Sequence, residues 1–185
     1  EVRLATYSFD WPELGTLLAA KKRQGVSVRV LCDGRRGETD VAGLEEMSRV
    51  ETGPGRFHAK LAVLDRKTVL VGSVNLTSSG IYLHHNDLLE VEDARIAEFC
   101  CRVFDAWWSG DVPPARLRTA EMDIYLSPGE DLARRILSEI SAARRSIRFL
   151  QYRFTDAGIG RALGCKRREG LLVAGILDMS GLYPF

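Results

Sequence analysis

Six residues within eighteen positions have the types and spacing for phosphoryl chemistry. They are His58, Lys60, Asp65, Gly72, Ser73 and Asn75, in the pattern H-x-K-x4-D-x6-G-S-x-N. Apolar runs at 61–64 and 69–74 flank the polar turn Asp65-Arg66-Lys67, which predicts a strand hairpin. Side chains two apart on a strand share a face. His58 and Lys60 therefore point the same way, and so do Ser73 and Asn75. The hairpin would gather an imidazole, an ammonium, a hydroxyl and an amide at one sheet surface. A neutral imidazole can attack phosphorus. The ammonium and the two neutral side chains can take up charge on the non-bridging oxygens. A lone histidine is more often a packed core residue, but five companions at fixed spacing turn the reading of His58 to catalysis.

The pattern resembles the HKD motif of the phospholipase D superfamily, with all six positions present. The first strand, the turn and strand from Gly25 to Leu31, and the segment from Phe104 to Trp108 resemble the same superfamily. The resemblance implies an α/β, phospholipase-D-like fold: a mixed β-sheet flanked by helices, in two pseudo-symmetric repeats with the site on their axis. It implies that one histidine forms a phosphohistidine while a second, from the other repeat's motif, protonates the leaving oxygen. His58, in the first copy, takes the nucleophile's role. Asp65 is structural in the superfamily, and here it lies at the hairpin turn. The superfamily also carries a Glu roughly a dozen residues beyond the Gly-Ser-x-Asn segment, and a carboxylate there would hold the second ring nitrogen of the histidine. Asp87 best matches that position, one methylene shorter, with Glu90 as the alternative. The expected catalytic set is thus His58, Lys60, Ser73, Asn75 and Asp87. His84 and His85 fall in a polar loop outside the motif and read as exposed or substrate-rim residues. Histidine-based phosphoryl transfer needs no metal, and neither a metal site nor a cofactor is expected.

The elements that must position these residues include a repeat. Residues 3–33 align with 148–178 at a constant offset of 145, without a gap and with ten identities. Each copy reads as a strand (2–9; 147–154), a short helix and a second strand (26–32; 171–177) ending at an Asp, a parallel βαβ unit. Asp10 is the expected N-cap of the first helix. Gly25 and Gly170 end the two helices. Ile96, Phe99, Cys100, Val103, Phe104, Trp107 and Trp108 recur at helical spacing and form a core stripe. A linker covers 110–114. Ser127-Pro128-Gly129-Glu130 reads as the capping-box start of a helix running to about Arg145. The expected organisation is a first repeat over 1–121, carrying the motif but lacking its N-terminal helix, and the start of a second over 122–185, cut before its own motif. The second motif would come from sequence beyond 185, or, as the weaker alternative, from a homodimer partner. Residues 1–185 alone are expected to be inactive.

Composition bounds the function less tightly. The chain has 185 residues with 26 Lys and Arg against 25 Asp and Glu, so bulk charge selects no partner. Cys32, Cys100, Cys101 and Cys165 show no zinc or disulfide spacing, and three of them read as small core residues. No apolar run is long enough for a membrane span; a cytoplasmic location is the expectation. Basic doublets recur, and Arg35-Arg36, just past a strand end, is the best of them for contacting a polyanion. The substrate is expected to be a phosphodiester, with nucleic acid placed ahead of phospholipid. The rival readings are a phospholipase D or cardiolipin-synthase-like transferase, and a non-catalytic binding module of the same fold.

Overall fold

Alternating apolar residues build one mixed sheet around the motif. The computed structural model describes residues 1–33, 48–51 and 55–178. The strands are β1 (Val2–Thr6), β2 (Val28–Asp33), β3 (Ser48–Glu51), β4 (Lys60–Leu64), β5 (Thr68–Gly72) and β6 (Leu88–Glu92), in the spatial order β3-β2-β1-β4-β5-β6. β1, β2 and β3 run parallel. β4 pairs antiparallel with β1, and β5 and β6 follow as antiparallel neighbours. These strands belong to a first compact unit, Glu1–Leu117.

Both faces of the sheet are covered. Leu4, Val28, Val30, Cys32 and Ala62 face one way and pack with Leu18 of helix α1 (Pro12–Arg23). Ala5 and Leu31, one residue out of phase, face the other way and meet Phe57 and Phe104, with Trp107 and Trp108 against them. Phe104 belongs to helix α3 (Ala94–Ser109), which follows the short α2 (Ser78–Tyr82). Fully burying a side chain such as Phe104 contributes roughly 1.5–3 kcal/mol. α3 starts where the Asp93 carboxylate accepts from the Arg95 and Ile96 amides and ends at Gly110 in the left-handed conformation. The tryptophans of the helical stripe are packing residues, as their spacing predicts. Cys32, Cys100 and Cys101 are buried, and all four cysteines are free.

A second unit spans Arg118–Phe185. Short strands β7 (Arg116–Arg118) and β8 (Asp123–Tyr125) lie near the division. Helix α4 (Leu132–Ala142), strand β9 (Ser146–Gln151), helix α5 (Ala157–Arg168) and strand β10 (Leu172–Leu177) follow. β9 and β10 pair in parallel.

Several local expectations are corrected. Asp10 does not cap α1; Trp11 stands at the N-cap without a side-chain bond, and the Asp10 carboxylate accepts from the Ser78 amide instead. The helix begins one residue later than that cap would need, with Pro12 at its first position, so Asp10 lies outside the cap position and makes that longer tie. α4 starts later than the Ser127 segment and is capped by Asp131, whose carboxylate accepts from the Arg134 amide. β1 stops at Thr6 and β5 at Gly72, so Phe9, Ser73 and Val74 lie past the strand ends.

Gly72 sits at the tightest crossing. A Cβ there would overlap the main-chain carbonyl of Asp87. Gly72→Ala is therefore expected to destabilise the chain by about 1–3 kcal/mol, the range for overpacking a close contact. Gly55→Ala, where an added Cβ meets nothing within 4 Å, is the control. Chemical denaturation of the two variants checks this; equal midpoints would contradict it.

Candidate active site

The hairpin sets the geometry. Leu64 and Lys67 close a two-residue turn, with the Lys67 amide bonded to the Leu64 carbonyl at 3.0 Å and positive φ at both Asp65 (51°) and Arg66 (54°). Positive φ at both central positions gives the twist that matches paired strands. Asp65 thus stands at the far end of the hairpin from His58. The register places Leu61 opposite Val71 and Thr6 opposite Lys60. The start of β4 and the ends of β1, β2 and β5 therefore share one edge of the sheet. Phe57, Ala59 and Leu61 pack into the core on the α3 side, and His58 and Lys60 alternate with them.

At that edge Tyr7 is the floor. Its ring lies 4.8 Å from the His58 ring, centroid to centroid, and is almost fully buried. Lys60 Nζ sits 5.4 Å from the Tyr7 ring centroid and donates to the His58 carbonyl at 3.1 Å. Arg56 donates to the Tyr7 hydroxyl. His58 itself is exposed, and Lys60 is partly buried. Desolvation, then the charges of Lys60 and Arg56, hold the His58 imidazole below its ordinary pKa, against an opposing pull from Asp33. Burial brings Lys60 down to about 8. The arrangement favours a neutral imidazole beside two cations at neutral pH.

Ser73 is fixed from β6's approach. Its amide donates to the Asp87 carbonyl at 3.1 Å, and its hydroxyl accepts from the Asp87 amide at 3.0 Å and donates to Asn86 Oδ1 at 3.0 Å. Asn86 Nδ2 in turn donates to the Gly80 carbonyl. Asp87 thus meets Ser73 through its main chain, while its carboxylate is exposed, as is Glu90. Asn75 Oδ1 is buried and has no hydrogen-bond partner among the described residues. His84 and His85 are exposed on the loop before β6. Arg35 and Arg36 lie outside the described residues. Among the described residues no group of three or more His, Cys, Asp or Glu is arranged to hold a metal, and no helix is long and apolar enough to cross a membrane.

Sequence reasoning missed the roles of Tyr7, Arg56, Asp33 and Asn86. Tyr7 and Asp33 stood in the internal alignment, opposite Tyr152 and Asp178, but nothing local tied them to His58. Asp33 is 1% exposed, and its carboxylate accepts from the Phe57 amide at 2.7 Å.

Residues 1–108 match the family model described as cardiolipin synthase, PLD-like domain. Mitochondrial cardiolipin hydrolase of Homo sapiens is 27% identical over 113 residues, 57% of this chain and 44% of that protein. A phospholipase D of Rickettsia bellii is 32% identical over 88 residues, 44% of this chain and 43% of that protein. The chain spans about half the length of the curated relatives it matches. Among solved structures, the phospholipase D family member Nuc from Salmonella typhimurium is similar with a TM-score of 0.53 at 23% identity, covering 61% of this chain and 82% of that one. Phosphatidylserine synthase from Haemophilus influenzae is similar with a TM-score of 0.69 at 11% identity, covering 95% of this chain and 56% of that one. At these identities the structural likeness shows the fold. A family model covering more than half of the chain, together with the complete motif inside it, makes the conclusion plain: this chain belongs to the PLD-like domain family.

Proposed function

We propose that the protein is a metal-independent phosphodiesterase that works through a phosphohistidine on His58, with nucleic acid as its substrate. The observation that carries this reading is the exposed His58, held below its ordinary pKa beside Lys60 and Arg56 at the open edge of the sheet. In the first step the neutral imidazole forms a P–N bond and the P–O bond to the leaving alcohol breaks. A second histidine gives its proton to the leaving oxygen. Lys60, Ser73 and Asn75 take the charge that builds on the non-bridging oxygens. In the second step the now-neutral second histidine removes a proton from water, which attacks phosphorus and releases His58. Asp87 is retained as the residue that orients His58 when substrate closes the site.

The second histidine belongs to a second copy of the same repeat. α1 and α5 cover Pro12–Arg23 and Ala157–Arg168, an offset of 145. Val2 pairs with Val28, and Ile147 pairs with Val173 at the same offset. These matches support a first repeat over 1–121 and the start of a second over 122–185. The second motif then lies beyond residue 185, with a homodimer partner as the weaker source.

Nucleic acid is preferred because Arg56 and Lys60 flank an aromatic floor at the His58 edge, a setting suited to a polyanion. One observation favours phospholipid instead: Tyr82, Leu83 and Leu88 are 65%, 78% and 57% exposed on the segment that also carries His84, Asn86 and Asp87. An apolar rim beside a phosphoryl site suits acyl chains.

The test offers single-stranded DNA, RNA and phospholipid vesicles in parallel to the full-length natural protein, with EDTA present. Turnover of a nucleic acid is expected, within about twofold of the rate without chelator, since no metal activates water in this scheme. His58→Asn should lose more than ~100-fold, the low end for a positioned catalytic group, with its melting temperature unchanged. Cleavage of vesicle phospholipid alone would overturn the nuclease reading, and near-wild-type turnover by His58→Asn would overturn the chemistry.

The pH profile is a separate check. The nucleophile must be neutral, and its pKa is lowered, so the midpoint of the acid limb of kcat/KM should lie below 6.5, the ordinary imidazole value. On the alkaline side it should fall as the second histidine, the general acid, loses its proton, and Lys60 adds a further loss near pH 8. Arg56→Ala removes a cation that disfavours the imidazolium, so it should move the acid limb to higher pH. An acid limb that stays in place would contradict this assignment.

A further inference from the structure

The motif supplies no buried carboxylate to His58, yet one is bonded to the main chain one residue before it. Asp33, the last residue of β2, is 1% exposed. An ionised carboxylate so deep is costly unless it is hydrogen-bonded or paired. Here it accepts from the amide of Phe57, the residue directly before His58, at 2.7 Å. The Phe57 ring is held separately, edge-on to Trp107 at 5.1 Å. The main chain entering the motif is therefore fixed at two points, by a carboxylate from β2 and by a ring from α3. Beyond them His58 turns out to solvent against Tyr7.

Resting on the phosphohistidine reading above, we infer that Asp33 is a positioning residue for His58, fixing the main chain at Phe57 and placing a negative charge on the buried side of the imidazole. The groups that bear on His58 come from three directions. Arg56 and Lys60 flank it along its own segment and disfavour its charged form; Tyr7, just past the end of β1, packs against it; Asp33, at the end of β2, favours the charged form. When the imidazole attacks phosphorus its ring becomes cationic. With Arg56 and Lys60 alone that charge would meet only repulsion. Asp33 offsets it without touching substrate and without closing the exposed ring face. This is a different task from the one proposed for Asp87, whose carboxylate would hold the His58 ring itself. Serving both bond and charge explains why an acid, and not an amide, ends β2.

Two variants separate the bond from the charge. Asp33→Asn keeps a carbonyl that can accept from the Phe57 amide and removes the charge. Asp33→Ala removes both. The whole chain is labelled for NMR, the His58 imidazole is assigned by its loss in His58→Asn, and its titration is followed beside hydrogen exchange of the Phe57 amide. Asp33→Asn is expected to move the His58 midpoint to lower pH and to leave the Phe57 amide protected. Asp33→Ala is expected to lose that protection and, in the active protein, about 100-fold in turnover, the scale for a small misplacement of a catalytic group. An unchanged His58 midpoint in Asp33→Asn would overturn the inference. Should either variant fail to fold, the unaltered chain decides: a Phe57 amide that exchanges as fast as exposed loop amides overturns it, and one as slow as those of β4 upholds it. The titration needs no turnover. A shifted midpoint in a protein that cleaves no phosphodiester would remove the proposed function and leave the placement of Asp33 standing.

Discussion

The site depends on the register of β4 between β1 and β5. Thr6 lies opposite Lys60 on one side, and Leu61 opposite Val71 on the other. That pairing puts the start of one strand beside the ends of its neighbours, so Tyr7, from the end of β1, meets His58 and Lys60 at one edge. A slip of one residue would turn His58 and Lys60 into the core and expose Phe57, Ala59 and Leu61. The anchors resist it: Phe57 and Leu61 pack with Phe104, Trp107 and Trp108 of α3. The tight turn at Asp65 and Arg66 fixes the same register from the other end. Asp65 thus shapes the hairpin and is removed from the chemistry, although it stands in the motif.

Electrostatics follows from that placement. Lys60 of the motif and Arg56 just before it bring positive charge to the imidazole, and burial brings desolvation. Both act in one direction, toward a neutral imidazole. The same burial weakens Lys60 as an ammonium, to about 8. A bound phosphoryl group would favour its charged form again. The site is therefore tuned for an anion: without one, the cations crowd each other and the histidine; with one, each has a partner.

Much of this was legible in the sequence because the hairpin is local. Lys60 opens β4 and Gly72 closes β5, joined by a short turn, so His58 and the Ser73–Asn75 segment lie just past adjacent strand ends that the spacing already brings together. The α3 stripe was legible for the same reason, since one helix buries one face. What escaped was non-local or depended on ends. Tyr7 and Asp33 reach His58 only through the pairing of β1, β2 and β4, which no spacing records. Asp10 and Ser127 carry capping signals, yet Asp10 bonds to the start of α2, and Asp131 caps α4. A cap is decided by where the helix starts, and propensity fixes that to within a few residues. Asn86 holds Ser73 from a loop whose path follows the crossing at Gly72.

The family leaves the substrate open, and the chemistry proposed at His58 is common to both candidates. The central claim is thus the covalent step itself. It is tested most directly by acid-free denaturing quench of the full-length protein during turnover, followed by peptide mass spectrometry. The account predicts a phosphoryl-linked adduct on the peptide containing His58, stable to alkali and lost in acid, and formed within the first turnover. Turnover with no adduct at any trapping time, or with the adduct on His84 or His85, would contradict it.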